Sequence, residues 1–419
     1  LLPMTMRPTR LAHFLVIFGM PLIAILFLLA ALGRWMVMHR DPNPGRRPWL
    51  TAILITVGLV VVLILLMLFL GWLIAPSAEA MPAIQNLASE LALELPPIAA
   101  DAGVGERIVW GFSAISKIGP EMLEARLVQP ALILLLSALL AAVIYLLLRL
   151  LQPHSPDFDE GWESIVSSSL PFALLIIATG ILLSLGPEFV YLRDNFGQRI
   201  NTIFKFYYQA WLLFGIAALY GLAYLLRRFR VSGLIATSIY LLALVGSLLF
   251  PYYATRSRAV EYRGPVDSEQ RLPSTLDGLA YLQNFNPDEY EAISWLRKNV
   301  DGAPVLLEAV GGQYSQYGRV ASTTGIPTLL GWAGHEYQWR GDTPEPAERD
   351  KIVRALYSQS DWASTEALLD SYAVEYVYFG QLERNTYDPL SEEKFEQNMD
   401  VAFRNNTVTI YARPAEGAN

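Results

Sequence analysis

The sequence has no cysteine, few histidines and little charge, and each scarcity narrows the chemistry open to it. Without cysteine, disulfides, thiolate metal ligands and thiol nucleophiles are excluded. The four histidines are far apart in the sequence, at His13, His39, His154 and His335. A histidine-built metal site is therefore not predicted, and although a divalent cation is possible, no residue pattern indicates one.

Charged residues make up only 17% of the 419 positions, whereas hydrophobic residues make up 53%. Soluble domains average about 25% charged and roughly 45–50% apolar residues, so the excess apolar surface is expected to face lipid. Residues 1–250 contain 16 Lys+Arg and 14 Asp+Glu, whereas residues 251–419 contain 15 and 25, giving net charges of +2 and −10. The acidic second part has no basic runs, so nucleic acid is not expected as a partner.

Six charge-free apolar stretches are long enough to cross a bilayer, which needs about 20 helical residues. They lie at residues 11–33, 49–75, 127–148, 170–186, 206–226 and 231–250. The sequence therefore predicts an α-helical, multi-pass protein of the cell membrane, surrounded by lipid, with residues 1–250 as its transmembrane domain.

Arginines flanking short loops predict how the chain crosses the membrane. Four arginines against one aspartate separate the first two spans, and Arg227, Arg228 and Arg230 follow the fifth. If both loops are cytoplasmic, three segments are extracytoplasmic: residues 76–126, 187–205 and 251–419. In the first of these, the spacing of Leu87, Leu91 and Leu95 predicts a helix on the membrane interface or on the protein's own surface.

The loop at residues 187–205 and the start of the fifth span combine charged and aromatic residues. Near a helix N-terminus, Arg193, Arg199 and Lys205 suit a phosphate or pyrophosphate. Asn201, Lys205 and Gln209 recur at i, i+4 and i+8 and form one polar stripe. Tyr208 and Trp211 are candidates to bound a lipid tail or sugar. Glu188 and Asp194 are candidate acids that hold the arginines in place or take part in catalysis. The alternative is an interfacial belt of snorkelling cations and aromatic anchors.

Residues 251–419 are predicted to form an α/β domain. Helices are expected at 287–300, 346–358 and 364–372, and strands at 304–310, 374–379 and 407–412. The Gly- and aromatic-rich tract 311–341 offers Tyr314 and Trp332 for stacking on sugars. His335, Glu336 and Arg340 form a polar cluster for binding or proton transfer, or else a hydrogen-bonded loop that fixes the fold, and Glu308 is equally ambiguous.

Several motifs in the same order resemble the C-terminal half of the Chlor_Arch_YYY family of polytopic membrane proteins. They are EFVYLRDNFGQRINTIFKFYYQAW, EYEAISWLRKNV, LLEAVGGQYSQYGRVASTTGIPTLLGW and HEYQWRG, within residues 170–341. The three-tyrosine motif that names the family is absent. This uncharacterised family is grouped with the GT-C membrane glycosyltransferases.

The resemblance implies a GT-C-like fold and sugar transfer from a polyprenyl-phosphate donor on the extracytoplasmic face. It also implies a longer protein whose main catalytic carboxylate precedes Leu1. Arg193, Arg199 and Lys205 would then bind donor phosphate, while Tyr314, Trp332, His335, Glu336 and Arg340 would shape the acceptor site. A transporter or lipid flippase and a non-catalytic scaffold with an external binding domain are the alternatives; few polar residues within the spans and no internal repeat disfavour transport.

Overall fold

The computed structural model describes residues 1–38, 47–77, 80–99, 101–151, 169–193, 198–263, 272, 274–341 and 343–414. They form two compact units, Leu1–Tyr253 and Ala254–Asn419. The first unit is helical, and the second combines helices with a small sheet.

Nine helices are described in the first unit and at its boundary with the second. They are α1 (Leu11–Met38), α2 (Pro48–Ile74), α3 (Met81–Glu90), α4 (Val104–Val128), α5 (Ala131–Leu151), α6 (Leu170–Leu185), α7 (Ile200–Arg228), α8 (Arg230–Ser247) and α9 (Leu249–Arg263). Two short strands, β1 (Leu2–Pro3) and β2 (Val190–Tyr191), accompany them.

Six helices are long and apolar enough to cross a membrane, which confirms the predicted class of polytopic membrane protein. They are Leu11–Met38, Pro48–Ile74, Ala131–Leu150, Leu170–Glu188, Ile200–Arg228 and Arg230–Glu261. At a rise of about 1.5 Å per residue, each can cross a hydrocarbon core of about 30 Å, with some tilt for the longer ones.

The core of the first unit lies among α1, α5, α6 and α7. Phe18 of α1 packs edge-on against Tyr207 and Phe214 of α7, with ring centroids 5.2 and 5.6 Å apart. On α6, Gly180 leaves room for the ring of Phe214, because a Cβ at this position would lie 2.6 Å from Phe214 Cε1. A glycine therefore sets the spacing of α6 and α7.

Antiparallel pairing of β1 with β2 fixes the start of the chain beside the loop that follows α6. Leu2 pairs with Tyr191 and Pro3 with Val190, and the Met4 N–H donates to the Phe189 carbonyl at 2.9 Å. Residues nearly 190 positions apart in sequence are thereby neighbours.

The segment between α2 and α5 contains two helices rather than one leucine-spaced helix. Helix α3 ends at Glu90, and Ala92 has a left-handed φ of 53°. The expected helical repeat therefore does not extend to Leu95, because the chain reverses its backbone twist at Ala92. Helix α4 then runs antiparallel to α2, with Gly111 against Pro76 and Gly119 against Leu68.

The second unit is built on a four-stranded sheet in the order β3-β4-β6-β5. Its strands are β3 (Val305–Leu307), β4 (Val374–Phe379), β5 (Asp400–Arg404) and β6 (Thr409–Ala412). Strands β3 and β4 are parallel, and the other two pairs are antiparallel. Predicted strand 374–379 is present with the same bounds, whereas the strand predicted at 304–310 has only three paired residues.

Helices pack on both faces of this sheet. They are α10 (Ala280–Phe285), α11 (Pro287–Asn299), α12 (Arg319–Thr324), α13 (Ala333–Arg340), α14 (Glu345–Ser358), α15 (Trp362–Ser371), α16 (Gln381–Thr386) and α17 (Glu393–Asn398). Side chains alternate along β4, so Val377 and Phe379 enter one core cluster while Tyr378 enters another. This confirms the sheet-containing region predicted after the apolar spans.

Candidate functional site

A buried carboxylate joins the N-terminal segment to the loop after α6. Glu188 ends the 3-10 turn Gly186–Glu188 and has no exposed surface. It accepts hydrogen bonds from the Thr9 N–H at 2.8 Å and the Thr9 hydroxyl at 2.7 Å. Strand pairing of β1 with β2 makes this contact possible, because it keeps the start of the chain beside the loop.

Arg199, directly before α7, is the cationic partner of Glu188. Its guanidinium contacts Glu188 Oε1 at 3.0 Å, and the Arg199 side chain is only 15% exposed. It also donates to the Pro187 carbonyl at 3.2 Å and the Thr9 hydroxyl at 3.1 Å. These contacts fix the guanidinium in one orientation. Arg199, one of the cations predicted from the loop, is therefore held by a carboxylate of that loop.

Arg126 of α4 is a second buried cation at the same place. Its guanidinium donates to the carbonyls of Met4 at 2.6 Å and Glu188 at 2.9 Å, and it lies over the Phe189 ring. Tyr207 of α7 donates its hydroxyl to Glu188 Oε1 at 3.4 Å. We call Thr9, Arg126, Glu188, Arg199 and Tyr207 the Glu188 network. The Glu188 carboxylate pairs with Arg199, whereas Arg126 binds the Glu188 backbone carbonyl. With two guanidinium groups and one carboxylate, the network has an excess of positive charge.

An open pocket of about 510 Å³ lies against Arg199. We call it the arginine pocket, and it is lined by Arg7, Pro8, Thr9, Arg10, His13, Gln129 and Arg199. Within the part of the chain that the structure describes, three arginines and no carboxylate contribute to this lining. The side chains of Arg7 and Arg10 are exposed and can turn toward a ligand. The Arg199 guanidinium is held in place by Glu188 and the Pro187 carbonyl.

The other predicted residues of the loop and α7 lie away from the Glu188 network. Asn201 is half-buried, and Lys205, Tyr208, Gln209 and Trp211 are exposed on α7, whereas Thr202, Tyr207 and Ala210 form its buried face. Arg193 is exposed beside β2. Asp194 lies outside the described residues. The predicted polar stripe is thus present on one face of α7, but that face is separate from the arginine pocket.

Sequence reasoning missed most residues of this site, among them Arg7, Thr9, Arg10 and Arg126. The sequence contains a local signal for two of them, since Arg7 and Arg10 directly precede α1, on the side that the arginines of the loops predict to be extracytoplasmic. Arginines there run against the charge bias and indicate a specific role. Nothing in the local sequence marks Arg126 or Thr9, because their partners are 62 and 179 residues away.

In the second unit, the Gly- and aromatic-rich tract forms an exposed aromatic cluster. Tyr314 lies 5.1 Å from Trp332 and 6.0 Å from His335 between ring centroids, and Trp339 lies 6.0 Å from His335. The Tyr314 hydroxyl and His335 Nδ1 are 3.3 Å apart. Tyr314 and Trp339 are 60% and 76% exposed, so two flat rings are open to a ligand.

Glu336 and Arg340, the other predicted residues of this tract, pair with each other on α13. Arg340 Nε is 2.7 Å from Glu336 Oε2, and Arg340 Nη1 is 3.6 Å from Glu345 Oε2. With Thr328 and Arg349 they line a small pocket of about 70 Å³. The structure therefore brings Tyr314, Trp332 and His335 together, while Glu336 and Arg340 form an adjacent ion pair.

A buried charge network lies where β3 and β4 end. Arg319 at the start of α12 donates two hydrogen bonds to Glu383, at 3.1 and 3.0 Å, and also binds Glu289. Burial alone would lower the pKa of Arg319, but Glu383 and Glu289 raise that pKa above its ordinary value. Because these side chains have little exposed surface, we assign this network to the stability of the domain.

Glu308, directly after β3, accepts the backbone N–H groups of Val320 and Ala321, each at 2.9 Å. Its side chain has no exposed surface, and burial raises its pKa to about 7 despite those two hydrogen bonds.

Among the described residues, no group of three or more His, Asp or Glu side chains is arranged to hold a metal ion.

Comparison with known proteins gives one family match. A family model described as Uncharacterized membrane protein (DUF2298) matches residues 2–214. This range contains every residue of the Glu188 network and of the arginine pocket. No curated protein matches the chain.

Proposed function

The chain belongs to the family described as Uncharacterized membrane protein (DUF2298), and within it we propose a membrane glycosyltransferase of the GT-C type. The donor is a polyprenyl-phosphate-linked sugar, and transfer takes place on the extracytoplasmic face. The observation that carries the proposal is the arginine pocket of about 510 Å³, which is lined by three arginines and, among the described residues, by no carboxylate. The resemblance to the Chlor_Arch_YYY family supports the reaction class.

The chemistry of the arginine pocket suits a phosphate or pyrophosphate group. A guanidinium binds phosphate oxygens through two parallel N–H donors, and such charge-assisted bonds are roughly twice as strong as neutral ones. Arg199 is held in one orientation, since Nη1 donates to Glu188 and the Pro187 carbonyl and Nη2 donates to the Thr9 hydroxyl. Arg7 and Arg10 supply further positive charge from the segment before α1.

The position of the pocket suits a lipid-linked donor. Arg199 directly precedes α7, and Arg10 directly precedes α1, so the pocket lies at the ends of two spans. A phosphate bound there leaves its polyprenyl chain free to extend beside apolar helices. Lys205, Tyr208, Gln209 and Trp211, on the exposed face of α7, are proposed to contact the same lipid or its sugar.

For the acceptor we propose the aromatic cluster of the second unit. Exposed tyrosine and tryptophan rings stack on the apolar faces of sugars, and the His335 ring beside Tyr314 adds hydrogen-bonding capacity. Glu336 and Arg340 are proposed to fix the orientation of a bound acceptor. In this scheme residues 251–419 are extracytoplasmic, as the arginines of the loops predict.

Binding of the donor lipid tests the proposal most directly. The full protein, reconstituted in liposomes, is assayed for binding of a polyprenyl phosphate and for transfer of a radiolabelled sugar from the corresponding donor. Replacing both Arg7 and Arg10 by Ala should weaken binding about 10- to 100-fold, the range expected for charge-assisted hydrogen bonds of about 1.5–3 kcal/mol. Because both side chains are exposed, the variant should fold normally.

Arg227→Ala is the matched control, since it removes an exposed arginine from the opposite end of α7. Unchanged binding in the double variant would overturn the phosphate site. Intact binding with no transfer to any glycan acceptor would instead favour a lipid flippase, and loss of binding in the control would indicate a general charge effect.

A further inference from the structure

A groove of about 370 Å³ lies between the last turns of α2 and the middle of α4. Leu68 and Trp72 form one wall, and Phe112, Gly119 and Leu123 are part of the other. The lining side chains are apolar apart from the Trp72 indole N–H and the Ser116 hydroxyl. Ser116 already donates to the Ser113 carbonyl of its own helix at 2.7 Å.

Glycines determine the direction and depth of this groove. A Cβ at Gly111 would lie 3.1 Å from Pro76, and one at Gly119 would lie 3.4 Å from Leu68. The two helices therefore run antiparallel, with Phe112 near the C-terminal end of α2 and Leu123 deeper along its apolar length. The groove thus extends from the end of a candidate span toward the interior of that span.

The Trp72 indole nitrogen is a buried donor without an acceptor. Its ring packs against Phe69 and Phe112, with centroids 5.9 and 5.4 Å away, and Nε1 has no hydrogen-bond partner within the part of the chain that the structure describes. A buried unsatisfied donor destabilises a protein, so an acceptor from outside the chain would be favoured here. A water molecule is a poor candidate because it needs two to four polar partners and this lining is apolar.

Trp72 stands two residues before the end of α2, a 27-residue apolar helix. Tryptophan at such a position lies at the headgroup level of a bilayer, where the ester groups of lipids meet their acyl chains. We propose that the groove binds one acyl chain of a membrane glycerolipid, whose ester carbonyl accepts the hydrogen bond of Trp72 Nε1. The chain then lies along Leu68, Gly119 and Leu123, and the volume falls within the roughly 300–1,000 Å³ usual for ligand sites.

This site is independent of the arginine pocket and of the proposed glycosyl transfer. It shares no lining residue with that pocket. A phosphate is not required, since the one unpartnered polar atom among the described residues of the lining is a neutral donor, for which a carbonyl oxygen is sufficient.

Native mass spectrometry of the full chain, released from mild detergent, tests the proposal. Wild type should retain one glycerolipid per chain. Trp72→Phe keeps an aromatic ring but removes the N–H, and should lower retention about three- to tenfold, as expected for one hydrogen bond of about 0.5–1.5 kcal/mol. Ser116→Phe starts from an exposed position, fills the groove, and should abolish retention.

Trp49→Phe is the matched control, because Trp49 is 53% exposed at the other end of α2. Equal retention in wild type and in either groove variant that folds would overturn the site. So would a retained mass that matches a polyprenyl phosphate or detergent alone. Trp72→Phe changes little volume, so it remains informative even if Ser116→Phe fails to fold.

Discussion

Glu188 is the residue on which the candidate donor site depends. It is fully buried, and its carboxylate pairs with Arg199 and accepts hydrogen bonds from the hydroxyls of Thr9 and Tyr207. Its backbone carbonyl accepts a hydrogen bond from Arg126. Breaking a buried ion pair by removing one partner costs more than the pair contributes, because the remaining charge stays buried without compensation. Glu188 therefore acts as a positioning residue that makes the burial of Arg199 and Arg126 tolerable.

Glu188→Gln should destabilise the protein by about 3 kcal/mol, because Arg199 loses its carboxylate. The corresponding fall in Tm, measured for the detergent-solubilised chain, is on the order of 5–10 °C. The exposed pair Arg258–Glu261, with side chains 82% and 66% exposed, is the comparison. Glu261→Gln should change stability by less than about 1 kcal/mol. Equal falls in Tm for the two substitutions would show that the buried Glu188–Arg199 pair stabilises the protein no more than an exposed ion pair.

Glu308 makes the stability of the second unit depend on pH. Burial raises its pKa to about 7 from an ordinary value of 4.5, although Arg319 and the two backbone N–H groups oppose the shift and Glu383 supports it. Between these two pH values the folded protein binds more protons than the unfolded chain. Stability from this residue is therefore complete below about pH 4.5 and is lost as pH rises through 7.

Glu308→Gln should remove this dependence, because an amide does not titrate. The variant should be less stable by an amount that does not change with pH, because the amide NH₂ group faces a backbone N–H that donated a hydrogen bond to the carboxylate. Relative to the variant, wild type should lose up to about 3 kcal/mol between pH 4.5 and 7.5, read from Tm values at closely spaced pH. A difference between the two proteins that stays constant with pH would contradict the raised pKa.

At the scale of elements, Gly180 determines how closely α6 approaches α7. Gly180→Ala should destabilise the protein by about 1–3 kcal/mol, because its Cβ would meet the fully buried Phe214 ring at 2.6 Å. Gly215→Ala on α7 is the control, since a Cβ there meets nothing within 4 Å. That variant should be neutral or gain up to about 1 kcal/mol from a less flexible unfolded chain. Thermal melts of both variants in detergent decide the question, and equal Tm values would contradict the packing argument.

Elements that depend on local pattern could be predicted from the sequence. Six apolar helices follow from length and composition, and β4 follows from a buried β-branched and aromatic run. Helix α12 could not be predicted, because its N-terminal N–H groups bind Glu308, twelve residues earlier, and glycines in the left-handed conformation flank it at Gly318 and Gly325. Strand β5 was missed too, since DVAFR has a charged residue at each end and only one neighbouring strand.

The same limit applies to the candidate site. Arg199 and Glu188 were predicted because they lie in one loop, eleven residues apart. Arg7, Thr9 and Arg126 join them only through the pairing of β1 with β2 and the packing of α4, and two-residue strands have no recognisable pattern. The aromatic cluster lies within one tract of about 30 residues, so sequence reasoning found most of its members.

At the scale of the whole molecule, the distribution of charge predicts which segments of the chain face the cytoplasm. Arg227, Arg228 and Arg230 crowd into four residues after α7, and the second part of the chain has a net charge of −10. Positive residues near the ends of spans stay in the cytoplasm, and acidic residues hardly affect the outcome. We therefore expect the end of α7 inside and residues 251–419 outside, the orientation that the proposed transfer requires.

The absence of cysteine makes this orientation directly testable, because single cysteines can be added to a background that gives no label. In intact spheroplasts, a membrane-impermeant maleimide should label Ser360→Cys, which lies exposed between α14 and α15. Arg228→Cys, with Arg227 and Arg230 kept, should react only after permeabilisation, because its side of the membrane is sealed. The reverse labelling pattern would place the second unit in the cytoplasm. A polyprenyl-linked donor on the outer face could not reach it there, so the aromatic cluster would be excluded as the acceptor site.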